Sequence, residues 1–338
     1  MYMYIMHDYT MIYICLFIVF MICCSGLYIF LSLHFQRSKK VESHGRVVLI
    51  TGCDTGFGNM LARRLDVLGF IVLAGCLDAN GQAAKNLVGE TSRVQIVQLD
   101  VTNDHQIQEA LKFVTLRTQE HGGLWSLINN AGIAVFTECE WCSMDMYQRS
   151  LEVNLLGTIR VTKAFLPLVR RTQGRVVNVA SLAGRVGLPG FTAYSATKYG
   201  VVGFSDCLRR EMAKFKVKVI TIEPNMYRTP MAERSMQMAK AEQSWETASQ
   251  EVREDYGEQY FRTFQATLKT HLSLSSKRTH EVIDCLEHAV VAMHPKSRYV
   301  PGQIMCVLSN LFGALPNFIQ DIAIISAMKA NVRPQSMK

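Results

Sequence analysis

Short runs of β-branched and other apolar residues alternate with longer helical stretches through most of this chain. The runs lie at 46–51, 70–75, 94–99, 124–129, 175–180 and 217–223, and a short run at 298–300 is a candidate seventh. One helical stretch separates each run from the next, and crossovers between parallel strands are almost always right-handed. The alternation therefore predicts an α/β fold built on a doubly wound parallel sheet of six to seven strands.

The N-terminal segment differs from the rest because residues 9–36 contain no Asp, Glu, Lys or Arg. As a helix, residues 11–33 would be about 34 Å long, which is sufficient to cross a bilayer core. A cleaved signal peptide needs a basic n-region and a shorter apolar run, and a buried core helix is seldom so long without charge. We therefore expect residues 1–40 to form a membrane anchor and residues 41–338 to form one domain.

Basic residues follow the apolar segment closely, at Arg37, Lys39, Lys40 and Arg46. The cytosolic flanks of membrane helices carry an excess of such residues. The pattern predicts a single-pass protein whose main domain faces the cytosol, and we expect it in the endoplasmic reticulum membrane.

The formal net charge is +8, but the basic residues are dispersed and no basic groove interleaved with aromatic residues occurs. Recognition of nucleic acid is therefore not expected. Ten cysteines are scattered along the chain, and Cys139 and Cys142 form a lone C-x-x-C without a second pair or nearby histidines. Neither a disulfide framework nor a metal site is expected.

A glycine-rich turn, TGCDTGFG, follows the first predicted strand and places Gly52, Gly56, Phe57 and Gly58 at the start of the next helix. Glycine permits positive φ and a close approach of a ligand to the backbone. The free N–H groups of the helix N-terminus can then bind a pyrophosphate. This position favours a dinucleotide site of the Rossmann type over a purely structural turn.

Two further motifs follow in register, Asp100 in LDVT and then Asn129, Asn130, Ala131 and Gly132 as NNAG. Together with the glycine turn they resemble the short-chain dehydrogenase/reductase family. The resemblance implies a nicotinamide dinucleotide cofactor, with Asp100 beside the adenine and with Asn129, Ala131 and Gly132 beside the adenosine. For Asn129, a strand-end hydrogen bond to the backbone is the alternative.

The choice between NAD and NADP depends on the end of the second strand, where a carboxylate favours a free ribose hydroxyl and arginine favours a phosphate. The sequence there is GCLD, with Gly75 where many NAD enzymes of the family have an acid and Asp78 three residues later. Because no cation is available for a 2′-phosphate, we expect NAD, with NADP not excluded.

Tyr194 and Lys198 are four residues apart in a helical stretch, which places both side chains on one face about 6 Å apart. A free tyrosine has a pKa near about 10, and a neighbouring cation together with oxidised nicotinamide would stabilise the phenolate. The pair is therefore a candidate for proton transfer. An exposed tyrosine beside a solvated lysine is the alternative for the pair taken alone.

The remaining family motifs make that alternative less favourable. Ser181 precedes Tyr194 by thirteen residues at the end of a predicted strand, and Asn154 lies in VNLLGT in the preceding helix. The resemblance implies that Tyr194 is the acid/base, Ser181 hydrogen-bonds the reacting oxygen, Lys198 also holds the nicotinamide ribose, and Asn154 supports a water in a proton relay. A helix kink or a surface position is the alternative for Asn154. A non-catalytic binding or scaffold protein is the alternative for the whole chain.

The segment EPNMYRTPM after the sixth strand is similar to the family segment around the nicotinamide, which implies that Pro224 and Thr229 contact the cofactor. Asn225 replaces the family glycine. Because asparagine tolerates positive φ better than most residues, we expect the turn to be retained.

Two segments are candidates for the substrate side. Residues 230–279 interrupt the strand-helix alternation with a polar, helix-prone insertion that could be a substrate lid. The segment at 303–328 is apolar, and its first part, 303–315, is too short to span a membrane, so it could line a pocket or lie on the bilayer surface.

Within the family, TGCDTGFG, HGGLWSLINNAG and VREDYGEQYF resemble the branch that contains retinol dehydrogenases, membrane 17β-hydroxysteroid dehydrogenase type 2 and D-β-hydroxybutyrate dehydrogenase. The resemblance implies a membrane-anchored oxidoreductase acting on a lipophilic secondary or allylic alcohol, a 17β-hydroxysteroid first, then retinol, then hydroxybutyrate. It also implies a homodimer or homotetramer formed through the helices that carry Asn154 and Tyr194.

Overall fold

Seven strands occur in the computed structural model, which describes residues 39–327 and 334–337. They are β1 Val47–Thr51, β2 Ile71–Cys76, β3 Val94–Gln98, β4 Ser126–Asn129, β5 Arg175–Val179, β6 Lys218–Ile222 and β7 Arg298–Tyr299. They form one parallel sheet in the order β3-β2-β1-β4-β5-β6-β7. The predicted doubly wound sheet is confirmed, including its seventh strand, and every strand lies within two residues of its predicted place.

Twelve α-helices occur in the same described part of the chain. They are α1 Gly56–Val67, α2 Gln82–Gly89, α3 Asp104–Thr118, α4 Met144–Leu151, α5 Thr158–Arg171, α6 Thr192–Met212, α7 Arg234–Thr247, α8 Gln250–Tyr256, α9 Glu258–Ser273, α10 His280–Val291, α11 Gln303–Gly313 and α12 Asn317–Ala327. Between α4 and α5 the chain makes a π-helical turn at Glu152–Gly157.

The centre of the sheet is covered on both faces, as parallel sheets require. Every residue of β1 is buried. Apolar side chains of the strands and of α5 form one continuous core cluster that includes Leu49, Leu127, Phe165 and Val176. This rigid sheet fixes the positions of the loops that leave its carboxyl end.

The strand order reverses between β1 and β4, because β1 pairs with β2 on one side and with β4 on the other. At such a switch point the two adjacent crossovers leave in opposite directions and open a crevice at the carboxyl ends of the strands. The loops that follow β1, β4, β5 and β6 meet there.

The predicted anchor at 11–33 lies outside the described residues. Across 39–327 and 334–337, no helix has both the length and the apolar character needed to cross a membrane. The described residues 39–42 belong to a small unit with residues 291–295. In this unit Lys40 pairs with Ala292 in an antiparallel bridge.

The insertion at 230–279 forms helices α7, α8 and α9. Aromatic side chains from these helices surround the buried indole of Trp141, which follows β4. The ring centres of Trp245, Tyr256 and Phe261 lie 5.0, 5.2 and 5.8 Å from that of Trp141. Edge-to-face contacts of this kind stabilise a cluster beyond the burial of area alone. The insertion is therefore packed against the main sheet domain.

Candidate active site

A cavity of about 1690 Å³ lies at the carboxyl end of the sheet, at the switch point. Its wall includes residues of the β1–α1 turn, the end of β4, the start of α6, the segment after β6 and helix α11. Most of the residues predicted from the sequence line it, namely Gly52, Gly56, Phe57, Asp100, Ala131, Gly132, Ser181, Tyr194, Lys198, Pro224 and Thr229. The lining does not include Gly58, Asp78, Asn129 or Asn154.

The glycines of the β1–α1 turn have separate tasks. Gly52 has φ +69°, and an added Cβ would lie 2.8 Å from the Cα of Ala131, so only glycine fits. Gly56 has φ +62° at the first position of α1, and an added Cβ would lie 3.9 Å from the Cβ of Thr229. A Cβ at Gly58 would lie 2.4 Å from the Gly52 carbonyl oxygen, so this glycine lets α1 pack against its own turn.

Thr51 and Asn130 join the two loops on either side of the switch point. The Thr51 hydroxyl oxygen accepts hydrogen bonds from the backbone N–H groups of Asn130 and Ala131, both at 3.0 Å. The Asn130 amide donates to the carbonyl oxygens of Thr51 and Gly52, at 2.9 and 3.0 Å. Asn130 lines the cavity and was not singled out as a contact from the sequence.

Asn129 is the last residue of β4, and its side chain is buried and does not line the cavity. Its amide donates at 2.8 Å to the Thr162 hydroxyl and at 2.8 Å to the Asn178 side-chain oxygen. Asn129 therefore links β4 to α5 and β5 within the core, and its neighbour Asn130 faces the cavity. Successive side chains of a strand point to opposite faces, which explains the exchange.

The carboxylate at the end of β2 belongs to Asp54. Its oxygens accept hydrogen bonds from the backbone N–H groups of Leu77 and Asp78, at 2.9 and 3.1 Å, and its side chain lines the cavity. The Asp78 carboxylate instead accepts from the N–H of Asn80 at 3.2 Å. Asp54 of the glycine turn thus places a carboxylate at the end of β2, where an acid was sought in the GCLD segment. Asp78 does not line the cavity.

Gly75 is a strand residue and not an exposed strand end. It pairs with Thr51 across β1 and β2 and is buried. An added Cβ would lie 3.0 Å from both the Ile50 carbonyl oxygen and a Leu99 methyl carbon. A larger side chain at this position would be crowded, so close packing between β1, β2 and Leu99 favours glycine here.

Asp100 follows β3 and contributes to the cavity wall. One of its carboxylate oxygens accepts from the N–H and the hydroxyl of Thr102, at 2.9 and 2.8 Å. The Asp100 N–H donates to the Gln106 side-chain oxygen at 2.7 Å. These bonds fix the orientation of the carboxylate in the loop.

Ser181 and Tyr194 meet at the far end of the cavity. Ser181 begins a single 3₁₀ turn, Leu182–Gly184, and its hydroxyl accepts from the N–H of Ala183 at 3.1 Å. The same hydroxyl lies 3.3 Å from the Pro224 carbonyl oxygen. Burial raises the pKa of Tyr194 to about 12, and a hydrogen bond from Ser181 opposes this rise.

Lys198 is buried one helical turn after Tyr194, as the spacing predicts. Its Nζ donates to the Val179 carbonyl oxygen at 2.9 Å and lies 5.6 Å from the centre of the Tyr194 ring. Burial lowers the pKa of Lys198 to about 8. In this arrangement the pKa of the phenol is raised, whereas the sequence reading expected stabilisation of the phenolate by the lysine together with the oxidised cofactor.

Asn154 is buried in the π-helical turn. Its side chain pairs with both backbone groups of Ile133, accepting at 2.8 Å and donating at 2.9 Å. It also donates to the Thr197 hydroxyl at 3.1 Å. A Cβ added at Gly132 would lie 3.2 Å from the Asn154 oxygen and 3.7 Å from Lys198 Nζ, so Gly132 keeps the space between these side chains open.

Asn225 occupies the family glycine position without positive φ. Among the described non-glycine residues, only Gln173 and Lys216 have positive φ. The turn after Pro224 therefore does not need the conformational freedom for which we invoked asparagine, and Asn225 lines the cavity. Thr229 also lines it, and begins the 3₁₀ turn Pro230–Ala232.

The cavity fits a dinucleotide at its β1–α1 end. Two glycines with positive φ and the N-terminus of α1 leave backbone N–H groups available for a pyrophosphate.

Cys139 is exposed and Cys142 is buried, and the described residues contain no group of three or more His, Cys, Asp or Glu side chains that could hold a metal ion.

Comparison with known proteins agrees with this geometry. The short chain dehydrogenase family model matches residues 46–240. The chain is 45% identical to human 17-beta-hydroxysteroid dehydrogenase type 6 over 82% of this chain and 87% of that protein. It is 42% identical to mouse retinol dehydrogenase 7, over 86% and 91% of the two chains. It is also 42% identical to the rat mitochondrial D-beta-hydroxybutyrate dehydrogenase, over 83% and 85%.

Solved structures show the same fold. A short-chain dehydrogenase from Streptomyces avermitilis is 23% identical, with a TM-score of 0.66 over 83% of this chain and 97% of that chain. A 3-ketoacyl-(acyl-carrier-protein) reductase from Brucella melitensis, solved with NADH, is 27% identical, with a TM-score of 0.51 over 56% and 78%. The predicted family and branch are confirmed. The chain belongs to the short-chain dehydrogenase/reductase family and is an NAD(P)-dependent oxidoreductase that acts on CH–OH groups.

Proposed function

We propose that the protein interconverts a lipophilic secondary or allylic alcohol, of the steroid or retinoid class, and its carbonyl. The observation that carries this proposal is the apolar wall around Tyr194. Phe136 and Phe191 lie on the sheet side of that wall and Met231 on the insertion side, and all three contribute to one apolar cluster with Tyr194. Such a wall favours a hydrocarbon skeleton over a charged one.

The cavity also reaches the C-terminal helices. Leu308, Leu311 and Leu315 line it, and the same three side chains are exposed on the protein surface. We propose that a hydrophobic alcohol enters the cavity from this apolar surface. The two relatives named for steroid and retinol activity support this substrate class.

In the proposed reaction Tyr194 exchanges a proton with the hydroxyl or carbonyl oxygen, and Ser181 hydrogen-bonds the same oxygen. When bound, the nicotinamide accepts or donates the hydride. Lys198 holds the ribose side of the site, and Asn154 keeps the loop after β4 in register with α6 through Ile133 and Thr197.

A short hydroxy acid is the second candidate substrate. A short hydroxy acid needs a cationic partner for its carboxylate, and Arg149 of α4 lines the cavity. A guanidinium is well suited to bind a carboxylate. The likeness to D-beta-hydroxybutyrate dehydrogenase supports this alternative.

A panel of a 17β-hydroxysteroid, retinol and D-β-hydroxybutyrate, each assayed with NAD and with NADP, tests the proposal. We expect the steroid or retinol to have a kcat/KM at least about 100-fold above that of hydroxybutyrate. A preference for hydroxybutyrate that disappears in the Arg149→Leu variant would contradict the proposal and establish the second candidate.

We propose NAD as the preferred cofactor. Asp54 places a negative charge at the end of β2, where a 2′-phosphate would lie, and a carboxylate there disfavours the phosphate. Asp54→Asn should raise the ratio of kcat/KM for NADP to that for NAD by roughly tenfold. Asp78→Asn, outside the cavity lining, is the matched control, and an equal rise in both variants would contradict the role of Asp54.

We also propose that the protein is anchored at a membrane, with α7 to α9 as a substrate lid. Lys240 and Gln237 of α7 both donate to the Ala134 carbonyl oxygen, at 2.9 and 3.4 Å, and these bonds hold the lid to the segment after β4. A homodimer or homotetramer through the helices near Asn154 and Tyr194 stays a prediction. Sedimentation analysis of the full chain in detergent measures it directly.

A further inference from the structure

The carboxylate of Glu223 is fully buried directly after β6. Arg185 Nε lies 2.5 Å from one of its oxygens, and Arg298 Nε lies 3.3 Å from the other. The Thr221 hydroxyl donates to the latter oxygen at 2.9 Å. Burial raises the pKa of Glu223, and the two arginines oppose this rise.

This ion pair lies at the base of the loop that carries Ser181. Arg185 directly follows the 3₁₀ turn that Ser181 begins. Glu223 directly precedes Pro224, whose carbonyl oxygen accepts from the Leu182 N–H at 3.0 Å and lies 3.3 Å from the Ser181 hydroxyl. Both ends of the turn are therefore tied to the same two residues at the end of β6.

The opposite side of the turn is fixed by close packing. A Cβ added at Gly184 would lie 2.6 Å from the carbonyl oxygen of Lys198. The turn is thus held between α6, which carries Tyr194 and Lys198, and the Glu223 carboxylate. A displacement of Arg185 would move the turn, and the Ser181 hydroxyl with it.

Stability alone does not explain a buried ion pair at this place. The cost of removing two charges from water often cancels their attraction, and apolar residues of similar volume are often as stable. We propose that the Arg185–Glu223 ion pair is a positioning device for Ser181, which holds the serine hydroxyl against the reacting oxygen beside Tyr194. This inference rests on the role of Ser181 in the proposed function.

The charged groups around Glu223 allow a matched control. Arg298 is shared, because it also contacts the Asp206 carboxylate at 3.2 Å, and Arg209 contacts Asp206 at 2.5 Å. Asp206→Asn removes one carboxylate from Arg298 and leaves the Arg185–Glu223 pair intact. It therefore reproduces the change in charge without the change in the turn.

The test is the kcat and pH profile of alcohol oxidation by full-chain Glu223→Gln, with the substrate that the panel identifies. Because misplacement of a reacting group by about 1 Å can cost about 100-fold, we expect kcat to fall roughly 10- to 100-fold. The KM for NAD should change less than about threefold, and the pH midpoint of kcat should rise, because the Ser181 hydrogen bond is weakened. Asp206→Asn should retain the kcat and the pH midpoint of the wild type.

A double-mutant cycle separates positioning from general damage. In a Ser181→Ala background, Glu223→Gln should change kcat less than about twofold, because its effect is transmitted through Ser181. A full, additive loss in that background would overturn the positioning role alone. Wild-type kcat in Ser181→Ala itself would instead contradict the role of Ser181 in the proposed function.

Arg185→Lys provides a variant that keeps the buried charge balance if Glu223→Gln does not fold. Lysine cannot reproduce the planar contact of a guanidinium with a carboxylate. We expect a smaller fall in kcat with the same upward shift of the pH midpoint. Unchanged kcat and pH midpoint in Arg185→Lys would overturn the proposal.

Discussion

The proposed chemistry depends on the phenol group of Tyr194. It lines the cavity, Ser181 hydrogen-bonds it, and the cationic side chain of Lys198 lies 5.6 Å from its ring centre. Its neighbours are fixed by backbone contacts, since Lys198 is bound to Val179 and Ser181 lies against Pro224. Proton transfer in this site therefore needs little rearrangement of the chain.

Tyr194→Phe should bind NAD with an affinity within about threefold of the wild type and lose turnover by at least about 1000-fold. The substitution removes only the phenolic oxygen and preserves the ring contact with Phe136. Fluorescence titration with NADH measures the affinity, and single-turnover kinetics measure the chemistry. Near-normal turnover would remove Tyr194 from the mechanism.

The pH dependence of kcat should differ between the two directions of the reaction. Burial raises the pKa of Tyr194 to about 12, so the phenol is protonated at neutral pH before the cofactor binds. Oxidation needs the deprotonated phenol, so its kcat should rise with pH. Reduction needs the protonated phenol, which prevails at every pH well below that pKa, so its kcat should stay level over the same range.

Measurement of kcat in both directions between about pH 6 and 10 checks this expectation. Ser181→Ala removes the hydrogen bond that lowers the pKa of Tyr194, so the oxidation profile should move to higher pH. A profile for oxidation that falls as pH rises would contradict Tyr194 as the base.

At the residue scale, spacing rules correctly predicted which side chains of one helix lie together. They were less successful in predicting which side chains at a strand end face the cavity. Tyr194 and Lys198 are placed together by helical geometry alone. The choice between Asp54 and Asp78 depends on a contact between the loops after β1 and β2, which local patterns do not show. The choice between Asn129 and Asn130 depends on which way a side chain points as the strand ends. A shift of one residue reverses that direction, and periodicity does not fix the last residue of a strand.

At the scale of elements, the turn between β1 and α1 determines whether the cofactor can approach the backbone. Gly52→Ala should weaken NAD binding by at least about tenfold and lower the thermal midpoint of unfolding. Alanine would need φ +69° and would place its Cβ 2.8 Å from the Cα of Ala131. Gly203→Ala, with no atom within 4 Å of the added Cβ, is a matched control in α6. Equal losses in both variants would contradict a specific role for the turn.

The order of elements was predictable because the central strands of a parallel sheet, here β1, β2, β4 and β6, are almost wholly buried and read as mainly apolar runs. Two local features were not. The π-helical turn around Asn154 has no signature in hydrophobic periodicity, since it adds one residue to an otherwise helical stretch. The ion pair of Arg185 and Glu223 joins residues 38 positions apart, which no local pattern reveals.

At the scale of the whole molecule, the C-terminal helices present an apolar surface. Val307, Phe318, Ile322 and Ile325 are between 59% and 64% exposed. Asp321 is the one charged residue between 303 and 327. An exposed patch of this kind marks an interaction surface. Leu311 of α11 also lines the cavity, which supports the proposed association with a membrane.

In liposomes with brominated acyl chains, Ile322→Trp in the full chain should add a quenched component to the tryptophan fluorescence. Bromine quenches only rings within the acyl region, so the component reports insertion of this surface. Val67→Trp is the control, because Val67 is the last residue of α1, is 82% exposed and does not line the cavity. An equally unquenched Ile322→Trp would contradict contact of α12 with the bilayer.

One cavity is lined by residues of the β1–α1 turn, such as Gly52, and by residues of the C-terminal part of the chain, such as Leu315. Its volume of about 1690 Å³ exceeds that of an ordinary small-molecule pocket, which is about 300–1000 Å³. A dinucleotide bound at the β1–α1 end would therefore form one wall of the space that is left for the alcohol. Association should be sequential, with the nucleotide entering first and leaving last, and product-inhibition patterns would display that order.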